Sequence, residues 1–242
     1  MANPTAAMLV IGDEILSGRT QDTNTHFLAG KLTAIGIDLK EVRVVADDAD
    51  TIVSAVKTLA HSYDHVFTSG GIGPTHDDIT ADCIATAFDD HIDIRQDAYD
   101  LLAAYYAQDG KDFNTARQRM ARIPDRALLI DNPVSVAPGF TLENVHVLAG
   151  VPSVFKAMVA SVLATLTGGA PLLSQTRRIN RGEGDLAGPL AELAQQFPDL
   201  SIGSYPFLHE GVYGANIVVR GTDVARLSDA IAKLNQLFPE DT

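Results

Sequence analysis

A single cysteine, no apolar run near the length of a membrane span, and a shortage of positive charge are the scarcities of this 242-residue chain. Each removes a class of answers. Cys83 alone cannot close an internal disulfide, and it stands beside Ile84 in a helical pattern where a small buried residue is expected. It reads as a packing residue. A bilayer span needs about twenty consecutive apolar residues, and residues 1–7 carry no basic stretch followed by an apolar one. The expectation is a cytoplasmic protein with no membrane partner. Lys and Arg number 18 against 31 Asp and Glu, a formal net charge of −13. That field repels a polyphosphate backbone, so nucleic acid is not expected as a partner either. A small anion meets the same repulsion and needs local backbone donors or a bridging cation to bind.

What remains is ordinary globular material, with 46% hydrophobic residues and a mean hydropathy of +0.07. The run Ala6-Ala7-Met8-Leu9-Val10-Ile11 is continuously apolar and ends at Gly12, the pattern of a strand buried on both faces of a parallel sheet. A helical pattern starts at Thr23 and stops at Gly36, a strand is expected over 39–45, and Asp50 can cap a helix carrying Ile52, Val56 and Leu59. A third strand follows at His65-Val66-Phe67-Thr68. The β-α-β-α-β alternation predicts a doubly wound sheet whose ligand sits beyond the carboxyl ends of the strands. Further along, a helix is expected over 78–88 and one or two more over 96–121. Strands follow at 127–130, 139–142 and 145–148, the last two joined by Glu143-Asn144 as an antiparallel hairpin.

A closing helix carries Phe155, Met158, Val159, Val162 and Leu166, and Thr167-Gly168-Gly169-Ala170-Pro171 then breaks the pattern as a linker does. The predicted organisation is therefore α/β: a three-layer, mostly parallel domain over 1–170 and a small α+β domain over 171–242.

The most informative stretch is Ser69-Gly70-Gly71-Ile72-Gly73-Pro74-Thr75-His76-Asp77-Asp78-Ile79-Thr80. Three glycines between a strand and a helix let backbone N–H groups approach an anion. It is neither a Walker A loop nor the spaced dinucleotide fingerprint, and a plain tight turn is the competing reading. Asp77 and Asp78 beside a bound phosphate would repel it unless a divalent cation intervened or one carboxyl took a proton, so both are candidate metal ligands, while Asp47 and Asp48 end the second strand, where a turn former and a site acid are competing readings. For Asp78, capping of the next helix competes with ligation. His76 could act as general base toward water or simply face solvent, and His26, His61, His91 and His209 lack metal-like spacing.

Gly12-Asp13-Glu14-Ile15-Leu16-Ser17-Gly18 follows the first strand and should lie beside the glycine loop. Asn132-Pro133, Pro138, Gly139, Gly150 and Pro152 punctuate the later segments as turn formers, and Arg117 and Arg119 read as solvated surface charges, with contact to a phosphate as the competing reading.

The segments Gly12-Asp13-Glu14-Ile15-Leu16-Ser17-Gly18, Asp22-Thr23-Asn24 and Gly70-Gly71-Ile72-Gly73-Pro74-Thr75-His76-Asp77-Asp78-Ile79-Thr80 resemble the superfamily of MoaB- and MogA-like molybdenum-cofactor proteins. Within it the chain is most similar to the amino-terminal part of CinA-type (competence- and damage-inducible) proteins and to the molybdopterin-binding-like domain of animal FAD synthases. The resemblance continues into Ile202-Gly203-Ser204-Tyr205-Pro206, while no deamidase or synthetase domain is read in these residues. It implies a MoaB/MogA-like fold holding molybdopterin or an adenine dinucleotide, with ligand contacts at Gly12, Asp13, Glu14, Asn24, Ser69, Gly70, Gly71, Gly73, Pro74 and Thr75, and at Pro138, Gly139, Gly150 and Pro152.

From the same resemblance, Asp77, Asp78 and His76 are the expected catalytic residues. Asp47, Asp77 and Asp78 are expected on Mg²⁺, Mn²⁺ or Co²⁺, in a pyrophosphatase acting on FAD or ADP-ribose. A pterin- or nucleotide-binding module without turnover, or a MogA-like adenylyltransferase, are the alternatives, and a homo-oligomer is expected. CinA-type chains carry Lys where His76 stands and Pro where Ala149 stands, which turns the comparison toward the FAD-synthase relatives.

Overall fold

The computed structural model describes residues 2–108, 110–209 and 211–239, arranged as two compact units over 1–169 and 170–242. The first unit opens with β1 (Thr5–Ile11), a single turn α1 (Asp13–Leu16), α2 (Asn24–Ala34), β2 (Asp38–Val45), α3 (Ala49–Ser62), β3 (His65–Ser69) and α4 (Thr80–Ala87). Next come β4 (Ile92–Ile94), α5 (Gln96–Gln108), α6 (Thr115–Gln118), a 3₁₀ turn at Arg119–Ala121 and β5 (Arg122–Pro124). The unit closes with β6 (Leu128–Ile130), β7 (Gly139–Leu142), β8 (Val145–Leu148) and α7 (Pro152–Leu163).

Six strands form one sheet in the order β2-β1-β3-β8-β7-β6. β1 runs parallel to both β2 and β3, and β3 runs parallel to β8, so four strand ends reach the same edge. β7 and β6 add the antiparallel pairs at the other side. The continuous apolar run explains the layering. Ala7, Leu9 and Ile11 pack with Ile52, Val56, Cys83 and Ile84 from α3 and α4, while Ala6, Met8 and Val10 pack with Leu28 and Leu32 of α2 and Phe155 and Met158 of α7. Every residue from Ala6 to Ile11 is at most 3% exposed. Burying a Leu or Met side chain in this way contributes about 1.5–3 kcal/mol, so β1, flanked by β2 and β3, anchors both helical layers to the sheet. The result is the expected three-layer α/β arrangement.

Local details depart from the sequence reading. The cap of α3 is Asp48, whose Oδ1 accepts from the Thr51 amide at 2.9 Å, and Asp50 lies in the first turn instead. α4 begins at Thr80 rather than at Asp78, because the Asp78 carboxylate is held by the Thr75 amide and hydroxyl in a turn. The stretch read as helical over 96–121 is flanked by β4 and β5, a three-residue ribbon pairing Ile92 with Pro124 and Ile94 with Arg122. Strands that short carry no periodicity to read.

The second unit consists of β9 (Leu173–Ile179), α8 (Glu183–Gln196), β10 (Ser201–His209), β11 (Val212–Gly221) and α9 (Val224–Leu237). Its antiparallel sheet has the order β10-β11-β9, with Ile179, Ile217 and Val219 packed against Leu186, Leu193, Leu227 and Leu234 of the two helices. This is the small α+β arrangement expected for the tail. Among the described residues, no helix is long and apolar enough to cross a membrane.

Candidate functional site

The ends of β1, β2, β3 and β8 and the β6–β7 connection surround an open cleft of about 590 Å³. At the end of β3 the chain turns through Gly70 and Gly71, with φ of 109° and 70°. These are left-handed conformations that favour glycine, and a Cβ would also strike the Ile11 carbonyl at Gly70 and the Thr80 hydroxyl at Gly71. Thr80, fully buried at the start of α4, holds the turn from behind. Its hydroxyl donates to the Gly70 carbonyl at 3.0 Å and its amide donates to the Gly71 carbonyl at 2.9 Å.

The Gly70 amide donates to the Leu148 carbonyl at 3.1 Å, and the Ile72 side chain packs against both cores of the sheet. The amides of Gly71, Ile72 and Gly73 have no acceptor among the described residues. Three successive unpaired donors on a partly exposed loop are what an anion requires.

The acidic residues take different positions. Asp47, after β2, accepts from the Asp13 amide at 3.0 Å. Partial burial pushes its carboxyl above the usual range, and the charges of Asp13, Glu14 and Asp77 add to the shift. Asp77 stays below that range, where the nearby Thr75 side chain and its own backbone amide favour the charged form. Asp78 lines the cleft, yet its Oδ2 accepts from the Thr75 amide at 2.7 Å, so its carboxylate closes the turn and does not cap α4. His76 has a fully exposed side chain, with Nδ1 3.9 Å from an Asp77 carboxylate oxygen.

The cleft therefore gathers Gly12, Glu14, Asp47, Gly70, Gly71 and Gly73, joined by Pro74, Asp77, Asp78, Pro138, Gly150 and Pro152. Asn24 and Ser69 lie in an adjoining recess, linked by a hydrogen bond from Asn24 Nδ2 to Ser69 Oγ at 2.9 Å. Asp13, Thr75 and His76 stand outside the cleft lining, and Gly139 is buried in β7 against the Val147 carbonyl, a packing position.

Asp47 and Asp77, which line the cleft, offer oxygen donors of the kind a hard divalent cation takes. Asp78 is committed to Thr75. Among the described residues, no three His, Cys, Asp or Glu side chains converge as a ready coordination group.

Arg19 escapes the sequence reading, whereas Asn132 is read there as part of a turn. Arg19 is the one basic side chain lining the cleft among the described residues, and the only signal for it is its position one residue past Gly18. Asn132, 2% exposed, folds the β6–β7 connection by donating to Ser135 Oγ at 2.7 Å and to the Ala137 carbonyl at 2.8 Å. Arg119, for which the sequence leaves a solvated charge and a phosphate contact in competition, is half-buried. Its Nε lacks a partner among the described residues, and Nη2 lies 3.4 Å from the Asp78 carbonyl, behind the glycine loop. Arg117 stacks on Tyr106 with its guanidinium carbon 4.7 Å from the ring centre.

Comparison with known proteins places this geometry among relatives. Residues 7–168 match the family described as a probable molybdopterin binding domain, and residues 171–242 match the family described as the middle domain of FAD synthase. A probable FAD synthase of Caenorhabditis elegans is 32% identical across 97% of this chain, which spans only 50% of that relative's length. A protein of Archaeoglobus fulgidus is 31% identical over 82% of this chain and 84% of its own. The crystal structure of a CinA protein of unknown function from Thermoplasma acidophilum aligns with 66% of this chain and 96% of its own, at 34% identity and a TM-score of 0.61.

Proposed function

Because the chain belongs to the family of probable molybdopterin binding domains and continues into a segment that matches the FAD synthase middle domain, we propose that it is a metal-dependent pyrophosphatase of a dinucleotide such as FAD or ADP-ribose. The observation that carries the reading is the set of unpaired Gly71, Ile72 and Gly73 amides on a cleft rimmed by carboxylates. In a protein of net charge −13, backbone donors of this kind offer a diphosphate an attraction that the long-range field does not. The name of the Caenorhabditis elegans relative supports FAD as the ligand to try first.

In this reading the loop amides donate to non-bridging phosphate oxygens and Arg19 offsets charge at the open side of the cleft. Asp47 and Asp77, with Asp13 and Glu14 beside them, would hold Mg²⁺, Mn²⁺ or Co²⁺. Such an ion, when bound, neutralises the diphosphate and makes its phosphorus more electrophilic. Asp78 keeps Thr75 and the loop in place. His76, exposed beside Asp77 and outside the cleft lining, would have to turn inward to take the proton of the attacking water. A water oxygen bonds to phosphorus, the bridging P–O bond breaks, and FAD yields AMP and FMN while the proton passes from His76 to solvent. Self-association belongs to the same proposal and is read by sedimentation.

The test is a screen of folded protein with each of the three metals against FAD and ADP-ribose. Release of AMP from at least one pair is expected, and its absence from every pair overturns the enzymatic reading. The lack of three converging ligands among the described residues favours a second reading, capture of a nucleotide or pterin without turnover. Calorimetric binding with no product would select it.

A further inference from the structure

A recess of about 60 Å³ opens beside the cleft and shares Ile11, Glu14, Thr20, Gly150 and Pro152 with it. Asn24, the first residue of α2, lines this recess and is 4% exposed. The orientation of its amide is fixed by its partners. Nδ2 donates to the Gly150 carbonyl at 2.8 Å and to the Ser69 hydroxyl at 2.9 Å, and the Gly150 oxygen can only accept. Oδ1 is therefore the atom left over, buried and without a donor among the described residues.

A buried acceptor of this kind is uncommon in a folded protein, and a donor that enters the recess would satisfy it. The charged side chains of the recess, Glu14 and Asp22, are both acidic, and no Lys, Arg or His lines it among the described residues. Asp22 is already occupied, since its Oδ1 accepts from the amides of Asn24 and Thr25 at 2.9 and 3.2 Å. The recess thus repels an anion and has an acceptor to offer a donor. Its size admits the edge of a ring and not a whole one.

We propose that this recess is the subsite for an N–H group on the heterocycle of the ligand, with Asn24 Oδ1 as its acceptor. The inference rests on the reading of the neighbouring cleft as a dinucleotide site: with the diphosphate on the glycine loop, one base can place its edge here. The flavin imide N–H and the adenine amino group present the same chemistry, and the subsite would discriminate against a ligand in which that N–H is methylated.

Calorimetry with FAD, FAD methylated at flavin N3 and FAD dimethylated at the adenine amino group tests it. One of the two methylated ligands is expected to bind the unaltered protein at least about tenfold more weakly than FAD, the loss of one well-placed hydrogen bond. Which one suffers identifies the base. In Asn24→Ala the ratio is expected to fall to about one. Two ratios near one in the unaltered protein, or a ratio that persists in folded Asn24→Ala, overturns the subsite. The ligand comparison decides on its own if that variant does not fold. FAD that fails to bind at all overturns the dinucleotide reading together with the subsite, whereas FAD that binds with both ratios near one overturns the subsite alone.

Discussion

The hydroxyl of Thr80 donates to the carbonyl of Gly70 at 3.0 Å, ten residues back along the chain. Through this bond and the one from its amide to Gly71, the first turn of α4 fixes the path of the loop that leaves three amides unpaired. The shape of the candidate phosphate site is thus determined by a buried side chain that does not line the cleft.

Thr80→Val keeps the shape of the side chain and removes the donor. The Gly70 carbonyl then loses a buried hydrogen bond, for which about 1–3 kcal/mol of stability is expected to be lost. Denaturant unfolding should show this decrease, and calorimetry should show FAD binding weakened by more than the change in folded fraction explains. Unaltered stability and affinity would mean that the loop holds its path without Thr80.

The two aspartates of the loop should separate in their effects. Asp77 is exposed, whereas Asp78 holds the Thr75 amide. Asp77→Ala is expected to weaken Mn²⁺ or Mg²⁺ binding at least about tenfold while leaving stability within about 0.5 kcal/mol, as surface changes do. Asp78→Ala should lower stability by about 1 kcal/mol through the freed turn. Metal titrations and unfolding curves of both variants check the division, and identical behaviour of the two would reject it.

At the opposite end of β3, burial governs a histidine pair. His146 Nε2 stands 3.3 Å from His65 Nδ1, and His146 Nδ1 lies 3.0 Å from the Thr141 hydroxyl. Burial, aided by the nearby His65, lowers His146 to about 3 from 6.5, and burial also lowers His65. Both groups bind protons more readily in the unfolded chain, so their contribution is complete above pH 6.5 and is lost as pH falls toward 3. The loss from His146 approaches about 1.4 kcal/mol per pH unit within that window. Unfolding at pH 7 and pH 5 should show it, and His146→Gln should flatten the dependence.

Much of this architecture is legible in the chain because the forces behind it are local. Six consecutive apolar residues ending at a glycine read as a strand covered on both faces, and three glycines after the next such strand mark a tight approach of backbone. The short helix at Asp13–Leu16 and the β4–β5 ribbon are too brief to carry a period. Asp48 and Asp50 are equally plausible caps until the Thr51 amide is placed. Other features depend on distant partners. The Asn24 amide is oriented by Gly150, 126 residues away, and Arg119 differs from a surface arginine only in what covers it. The role of Asp78 as a clasp for Thr75 is likewise set by the fold of the turn.

Binding of a diphosphate in this cleft depends most directly on the amides of Gly71, Ile72 and Gly73. Titration of ¹⁵N-labelled protein with FAD in the presence of Mg²⁺, followed by amide chemical shifts, addresses them one by one. The largest shifts are predicted at these three amides, with Gly70, already bonded to Leu148, moving less. Saturable binding that leaves all three unmoved while other surfaces shift would contradict the account.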